Sequence, residues 1–167
     1  MNSIGFVISD KNNERRRALL PEDLLKLKHV NQLYFEKGYG VNLGYSDNEY
    51  QKLGANIVDR KDALNCDIII DVKLGDANYL SDLPIGKILI GWAHAVQNVP
   101  FTDIMLEKDH TVIAWEEMFE NGRYIFYRNR EIAGEAAILH AYQYLGKMPY
   151  ETKVAILGNG QTAKGAL

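Results

Sequence analysis

Short apolar, β-branched runs alternate along the chain with segments of helical character, and this alternation most restricts the possible folds. Strands separated by helices pair in parallel, because the helix carries the chain back across one face of the sheet. The runs at residues 67–73 and 87–91 are apolar enough for the buried middle of such a sheet. Strands are predicted at residues 4–9, 32–36, 56–59, 67–73, 87–91 and 111–115. The pattern predicts an α/β fold with a doubly wound, mainly parallel, Rossmann-like sheet.

Local signals predict several element boundaries. The Pro-Glu-Asp triplet at residues 21–23 suits the first turn of a helix that is predicted to end near Val30. Ser46 and Glu49 have the spacing of a capping box. The dipeptide Asn121-Gly122 is typical of a two-residue hairpin turn.

The longest predicted helix spans residues 131–145, with Gly146 as a left-handed stop. A strand is predicted next, at residues 153–157, and it runs into a glycine-rich turn. The helix therefore bridges two α/β units, of which the second begins near residue 150.

The glycine-rich turn has the form G-x-G-x-x-A, which is typical of dinucleotide-binding sites. Gly158 allows a tight turn, Gly160 lets the backbone approach a pyrophosphate, and Ala163 lets the helix pack on the strand. An ordinary glycine-containing βα turn is the alternative interpretation. The residue that reads the ribose is expected about 20 residues further on, beyond Leu167, so NADP and NAD remain alternatives.

Composition and charge argue against several classes of partner. The net charge of −3 gives no electrostatic case for nucleic acid. No apolar run approaches the roughly 20 residues that span a bilayer, and the N-terminal residues do not resemble a signal peptide. Cys66 is the single cysteine, so it has no thiol partner for a disulfide or a metal site. We expect a cytoplasmic protein without a bound metal, and neither nucleic acid nor membrane as a partner.

Several landmarks resemble the alanine dehydrogenase family, which includes transhydrogenase α-subunits and saccharopine-type dehydrogenases. A Lys-Asn-Asn-Glu run at residues 11–14 precedes Arg16, as in the N-terminal signature of that family. Lys73 at a strand end, His94 after the next strand, and the glycine-rich turn follow in the family's order. The resemblance covers the whole chain but only the first half of the family's fold.

The resemblance implies roles for three residues. Arg16 is expected to grip the carboxylate of a keto acid, since a guanidinium offers it two parallel donors. Lys73 is expected to hold the carboxylate or keto oxygen of pyruvate and to stabilise negative charge. His94 is expected to act as the general acid and base, because histidine exchanges protons near neutral pH.

Each of these residues also has a purely structural interpretation. Arg16 could belong to a solvated loop, Lys73 could be a surface charge, and His94 could be a hydrogen-bonded structural histidine. Glu116 and Glu117 end a predicted strand and are interpreted as solvated or ion-paired.

The sequence departs from the alanine dehydrogenase pattern after Lys73 and after His94. The short front domain and the Gly-Asn-Gly-Gln-Thr-Ala turn at residues 158–163 resemble the N5-(carboxyethyl)ornithine synthases of the family. That similarity implies NADPH-dependent reductive condensation of pyruvate with the side-chain amine of ornithine or lysine. Alanine dehydrogenase activity, with ammonia as the amine, is one alternative. The other is a catalytically inactive fragment, or a non-catalytic domain that binds a keto acid or a partner, and we expect the 167-residue chain alone to be inactive. The resemblance also implies a homo-oligomer with a substrate and catalytic domain (residues 1–130), a bridging helix and linker (131–149), and the start of an NAD(P)-binding domain (150–167).

Overall fold

A computed structural model of the chain describes residues 2–167, which fall into two compact units. Unit 1 ends at Glu116, and unit 2 is Glu117–Leu167. The strands of unit 1 are β1 Ile4–Phe6, β2 Leu33–Glu36, β3 Asn56–Val58, β4 Ile68–Ile70, β5 Ile88–Gly91 and β6 Thr111–Ala114. Its α-helices are α1 Pro21–Leu24, α2 Asp47–Lys52, α3 Arg60–Asn65 and α4 Val99–Glu107.

The six strands form one sheet in the order β3-β2-β1-β4-β5-β6, and every pairing is parallel. The first strand, β1, thus lies in the middle of the sheet. Strands β2 and β3 follow on one side of it, and β4, β5 and β6 follow on the other. This is the strand order of a Rossmann-like, doubly wound sheet, and it confirms the predicted fold class.

The sheet is covered by an apolar cluster on each face, because successive side chains of a strand point to opposite sides. Phe6 and Val7 are neighbours in sequence, yet they lie in different clusters. The Phe35 cluster consists of Phe6, Leu24, Leu33, Phe35, Tyr39, Tyr50 and Ala55. The Ile69 cluster consists of Val7, Ala63, Ile69, Leu74, Tyr79, Leu80, Leu83, Leu89, Ala93, Phe101 and Met105.

Aromatic rings dominate the Phe35 cluster. Phe35 stacks on Phe6 with ring centroids 4.5 Å apart, and it also contacts Tyr39 at 5.2 Å and Tyr50 at 4.7 Å. The hydroxyl of Tyr39 accepts a hydrogen bond from the Ala18 amide at 2.9 Å, and burial raises the pKa of both tyrosines. The cluster therefore ties the long connection after β1 to the sheet.

Unit 2 begins with a hairpin, β7 Phe119–Glu120 and β8 Arg123–Tyr124, and continues with the helices α5 Tyr127–Leu145 and α6 Gln161–Gly165. The hairpin turns at Asn121 and Gly122, both at positive φ, as predicted. Gly146 ends α5 at a φ of 68°, also as predicted.

The two helices of unit 2 are in backbone contact. A Cβ added to Gly134 of α5 would lie 2.0 Å from the carbonyl oxygen of Thr162, and one added to Gly165 of α6 would lie 1.9 Å from that of Glu131. Each helix therefore presents a glycine where the other approaches it.

Two predicted elements differ from the structure. The helix that starts at Pro21 ends at Leu24 instead of near Val30, because only these two end residues of α1 are buried, whereas Leu25 is 72% exposed. So short a helix depends on packing, which the following residues do not supply.

The predicted strand at residues 153–157 does not form. A strand requires the backbone of a neighbour, and in the described part of unit 2 the only strands, β7 and β8, pair with each other. Leu157, at the end of the segment, is 98% exposed. The capping box was predicted correctly: Glu49 accepts hydrogen bonds from the amide and the hydroxyl of Ser46.

Gly5 lies at the centre of β1, and a Cβ at this position would lie 2.0 Å from the carbonyl oxygen of Ala63 in α3. We expect Gly5→Ala to lower the free energy of unfolding by roughly 3 kcal/mol, because backbone must move to admit the methyl group. Gly44→Ala is the control: Gly44 has a φ of 89° and no neighbour near its Cβ position, so only conformational strain of about 1 kcal/mol is expected. Urea denaturation measures both values, and equal losses would contradict the close approach of α3 to β1.

Candidate active site

Neighbouring strands at the centre of the sheet send the chain to opposite faces. The connection after β1 enters α1, whose Leu24 packs in the Phe35 cluster. The connection after β4 enters a 3-10 turn, Leu74–Asp76, whose Leu74 packs in the Ile69 cluster. In open α/β sheets such a divergence leaves a crevice at the carboxyl ends of the strands, and ligands bind there.

Arg16 lies in the connection after β1 and is held by Glu14. Its Nε and Nη2 atoms donate to the two carboxylate oxygens of Glu14 at 2.9 and 2.6 Å, so the guanidinium is gripped in a bidentate pair. The guanidinium carbon lies 4.7 Å from the ring centroid of Trp92, which follows β5. Arg16 therefore joins the connections that leave β1 and β5.

Lys73 lies in the connection after β4, at the start of the 3-10 turn. Its side chain is 21% exposed, and its ammonium lies 4.0 Å from a carboxylate oxygen of Asp76. The other oxygen of Asp76 accepts a hydrogen bond from Lys11 at 2.8 Å. The charge of Lys73 also helps to lower the pKa of Glu14, which links it electrostatically to the carboxylate that holds Arg16.

His94 follows β5 and has a φ of 52°, in the left-handed region that few residues other than glycine adopt. The Glu116 carboxylate accepts hydrogen bonds from the backbone amides of His94 and, at 3.2 Å, Ala93. His94 is exposed to solvent. Glu116 thus stabilises an unusual backbone conformation that presents His94 at the edge of the sheet.

The structure brings the three predicted residues to one edge of the sheet, in connections that follow β1, β4 and β5. Arg16 contacts Trp92, which lies two residues before His94 in the connection after β5 and packs edge to face against Trp115 at 4.9 Å. Arg16 and Lys73 are linked through Glu14. Their roles in binding and catalysis stay predictions.

Sequence reasoning missed two carboxylates at this edge. Glu116 is predicted to be solvated or ion-paired, but it accepts two backbone amides. The strands β5 and β6 are neighbours, so Glu116, which follows β6, lies beside the residues that follow β5. Asp71 was read as part of an apolar strand, yet it is a buried charged residue. Its position inside the run at residues 67–73 was the available signal, since a carboxylate there must be paired.

The glycine-rich turn lies in unit 2, and its backbone is open at Gly160. Gly158 has a φ of 136°, which favours glycine, and nothing lies within 4 Å of a Cβ built on Gly160, so the backbone there is open to a ligand. The side chain of Ala163 lies 3.7 Å from the Cβ position of Gly158. The residues therefore fit the phosphate-binding turn of a dinucleotide, although the preceding segment does not pair as a strand.

Among residues 2–167, no three histidine, cysteine or acidic side chains are placed to hold a metal ion together. None of the helices formed by these residues has the length and apolar character needed to cross a membrane.

Comparisons with known proteins agree with this geometry. The sequence model described as the N-terminal domain of alanine dehydrogenase/PNT matches residues 7–126. An N(5)-(carboxyethyl)ornithine synthase of Clostridium botulinum is 35% identical and matches 98% of the chain, and one of Lactococcus lactis is 34% identical with the same coverage. Alanine dehydrogenase 1 of Staphylococcus aureus is 30% identical over 83% of the chain.

The matched relatives are longer than the chain, which covers 56% of the two synthases and 38% of the alanine dehydrogenase. Among solved structures, an L-alanine dehydrogenase superposes over 98% of the chain with a TM-score of 0.77 at 22% identity. A transhydrogenase from Sinorhizobium meliloti superposes over 90% with a TM-score of 0.66 at 24% identity. These two likenesses support the fold.

The hydrogen bonds from Arg16, together with its charge, hold the pKa of the Glu14 carboxyl below its usual value near 4.5. A lowered pKa in the folded state stabilises the fold above the ordinary pKa, and this contribution is lost as the pH falls through the lowered one. We expect Arg16→Gln to raise the Glu14 pKa towards 4.5, measured from the carboxyl carbon by NMR titration. The control Arg15→Gln alters the neighbouring arginine and should leave Glu14 unchanged. An unchanged Glu14 pKa in Arg16→Gln would contradict the bidentate pair.

Proposed function

Because the chain belongs to the alanine dehydrogenase/PNT family through its N-terminal domain, we propose that it is the substrate-binding part of an NAD(P)H-dependent oxidoreductase acting on CH–NH groups. The proposed reaction is the reductive condensation of pyruvate with the side-chain amine of ornithine or lysine. In support, the relatives named for carboxyethylornithine synthesis match more of the chain, at higher identity, than the alanine dehydrogenases do.

The observation that carries the proposal is that Arg16, Lys73 and His94 lie in the connections that leave the carboxyl ends of β1, β4 and β5. Two of these groups are cationic and are held at that edge by Glu14 and Asp76. A small keto acid carries a carboxylate next to a carbonyl, so it needs a cation for the anion and a donor for the keto oxygen. The three residues together supply both, with a proton carrier beside them.

In this proposal the Arg16 guanidinium binds the carboxylate of pyruvate. Glu14 already holds the Nε and Nη2 atoms of Arg16, so it keeps the guanidinium oriented and competes with the incoming carboxylate for it. The Lys73 ammonium donates to the keto oxygen and stabilises the charge that develops there when the amine attacks the carbonyl carbon.

His94 handles the protons of the condensation. Attack of a neutral amine on pyruvate gives a carbinolamine, which loses water to form an imine, and each step moves a proton at the former keto oxygen or at the nitrogen. The exposed imidazole and the backbone conformation held by Glu116 suit this exchange. His94 lies on a turn whose backbone amides donate two hydrogen bonds to Glu116, so the position of its backbone is fixed.

NADP, with NAD as the alternative, is the proposed cofactor, and the backbone around Gly158 and Gly160 and the small side chain of Ala163 would hold its pyrophosphate. A reduced nicotinamide supplies, when bound, the hydride that reduces the imine carbon. The domain division is part of the same proposal: residues 1–130 bind the substrate and carry the catalytic residues, residues 131–149 form the bridge, and residues 150–167 begin the cofactor domain.

Alanine dehydrogenase is the second candidate, with ammonia in place of the larger amine. It is favoured by the fold similarity to an L-alanine dehydrogenase over 98% of the chain. Both candidates require the same keto acid site, so pyruvate tests what they share. Because the chain spans 56% of the length of the synthases it matches, ligand binding without turnover is a third candidate for this chain.

We expect isothermal calorimetry to detect pyruvate binding to the chain, and Lys73→Ala to weaken it by at least about tenfold, since a charge-assisted hydrogen bond is lost. His94→Ala should leave the pyruvate affinity nearly unchanged, because its proposed role lies in proton transfer. Lys52→Ala removes an exposed lysine of α2 and serves as the control. Titrations with NADPH and NADH test the cofactor assignment.

Binding of pyruvate that is equally strong in Lys73→Ala and Lys52→Ala would contradict the proposed role of Lys73. Absence of pyruvate binding by the unmodified chain at any tested concentration would contradict a preformed keto acid site. If ornithine and lysine bind only when pyruvate is present, the condensation is favoured over alanine dehydrogenase.

A further inference from the structure

Asp71 is the only buried charged residue in the part of the chain that the structure describes, and it directly follows β4. Its side chain has no solvent-exposed surface. A buried carboxylate is costly unless its oxygens accept hydrogen bonds. The partners that stabilise this carboxylate therefore indicate why a charge is present there.

One carboxylate oxygen of Asp71 accepts the backbone amide of Lys73 at 2.9 Å, and the other accepts the hydroxyl of Tyr79 at 3.0 Å. The bond to the residue two positions ahead makes an Asx-type turn, which takes the chain out of the strand. Lys73 then starts the 3-10 turn Leu74–Asp76. The direction in which Lys73 leaves the sheet is thus set by the carboxylate of Asp71.

Tyr79 is itself held in place. It is buried, and the Arg60 guanidinium carbon lies 5.3 Å from its ring centroid. Arg60 donates to Asp10 at 2.6 Å and to Glu36 at 3.2 Å. Asp71 is therefore anchored through Tyr79 and Arg60 to a side chain after β1, one at the end of β2 and one after β3. The Lys73 turn is thus tied to most of the central sheet.

The charged and titratable groups around Asp71 come from three directions. Tyr79 and Lys73 face it from its own connection, Asp10 from the chain after β1, and Arg60 from α3 through Tyr79. Strand β5 contributes none at this point, because Gly91 lies against the Asp71 backbone: its Cβ would be 1.8 Å from the carbonyl oxygen. Asp71 therefore has no cation in direct ion-pair contact among the contacts that hold its carboxylate.

We propose that Asp71 is a positioning residue, whose buried carboxylate orients the Lys73 backbone and thereby directs the lysine ammonium to the keto acid. The inference rests on the proposed function, in which Lys73 contacts that ligand. Asp71 does not touch the ligand, since its side chain has no solvent-exposed surface.

The effect of the Asp71 carboxylate on the free energy of unfolding distinguishes a positioning role from a stabilising role. Burial raises the pKa of Asp71, against hydrogen bonds that lower it. A carboxyl whose pKa is raised on folding binds its proton more tightly in the folded state, so its charged form disfavours the fold once the pH rises above the ordinary value. Asp71→Asn removes the charge, leaves only a weaker neutral acceptor for the Lys73 amide, and puts an NH2 group in place of one of the two accepting oxygens. This variant is expected to be at least as stable as the unmodified chain at neutral pH.

The test compares Asp71→Asn with Asp67→Asn, which alters an exposed aspartate at the opposite end of the same strand. We expect Asp71→Asn to weaken pyruvate binding about tenfold while the urea midpoint stays equal or rises. In the unmodified chain, pyruvate binding should also fall as the pH drops through the raised pKa of Asp71, and this step should be absent in the variant. Asp67→Asn should retain the affinity.

The second pair of variants is Tyr79→Phe and Tyr45→Phe. Tyr79→Phe removes the donor to Asp71 and keeps the ring beneath Arg60, whereas Tyr45→Phe removes an exposed hydroxyl that donates to Glu22 at 3.1 Å. Only Tyr79→Phe is expected to weaken pyruvate binding. The backbone amide resonance of Lys73 should move in Asp71→Asn and follow the titration of Asp71 in the unmodified chain.

Each result decides between explanations. If pyruvate binding tightens in Asp71→Asn, the carboxylate acts only as an unfavourable charge near an anion site, and the proposal is wrong. If the urea midpoint and the affinity fall together, Asp71 is structural. If binding depends on Lys73 but not on Asp71, only the positioning role is overturned. If the unmodified chain binds no pyruvate, the proposed function fails. If, in addition, the backbone amide resonance of Lys73 does not change in Asp71→Asn, the positioning role is overturned as well.

Discussion

Parallel pairing of β1 with both β2 and β4 is the constraint on which the rest of unit 1 depends. The carboxyl ends of parallel strands lie at the same edge of the sheet. The topology alone therefore brings residues that are far apart in sequence to that edge. The strand order sends the connections after β1 and β4 to opposite faces, and each is anchored by its own apolar cluster. The candidate site is the space that this divergence leaves.

Packing and chemistry are closely coupled at that edge. Glycines at positions 5 and 91 bring backbone against backbone, which leaves no room for side chains between β1 and α3 or between β5 and the end of β4. The polar side chains then bond mostly to backbone: Glu116 to the His94 turn and Asp71 to the Lys73 turn. The turns that carry His94 and Lys73 are therefore each held by hydrogen bonds from backbone amides to a carboxylate.

The sequence predicted what depends on local chemistry and periodicity. All six strands of unit 1, the capping box at Ser46, the hairpin turn and the stop at Gly146 have strong local signals, and the structure contains them. The early end of α1 and the unpaired segment at residues 153–157 depend on tertiary partners, which no local pattern records. The carboxylates at positions 71 and 116 were missed for the same reason, because their hydrogen-bond partners lie on turns whose course is known only from the fold.

The backbone contact between α5 and α6 has a mechanical consequence for unit 2. At Gly134 and Gly165 the backbones of the two helices are in contact, and no side chain lies between them. Sliding or rotation of one helix against the other would therefore bring main-chain atoms into collision. We therefore expect α5 and α6 to move together. The orientation of the glycine-rich turn, which precedes α6, then depends on α5 and not on the extended segment at residues 153–157. Changes of length or sequence in that segment can alter how the chain arrives at the turn without altering where the turn points.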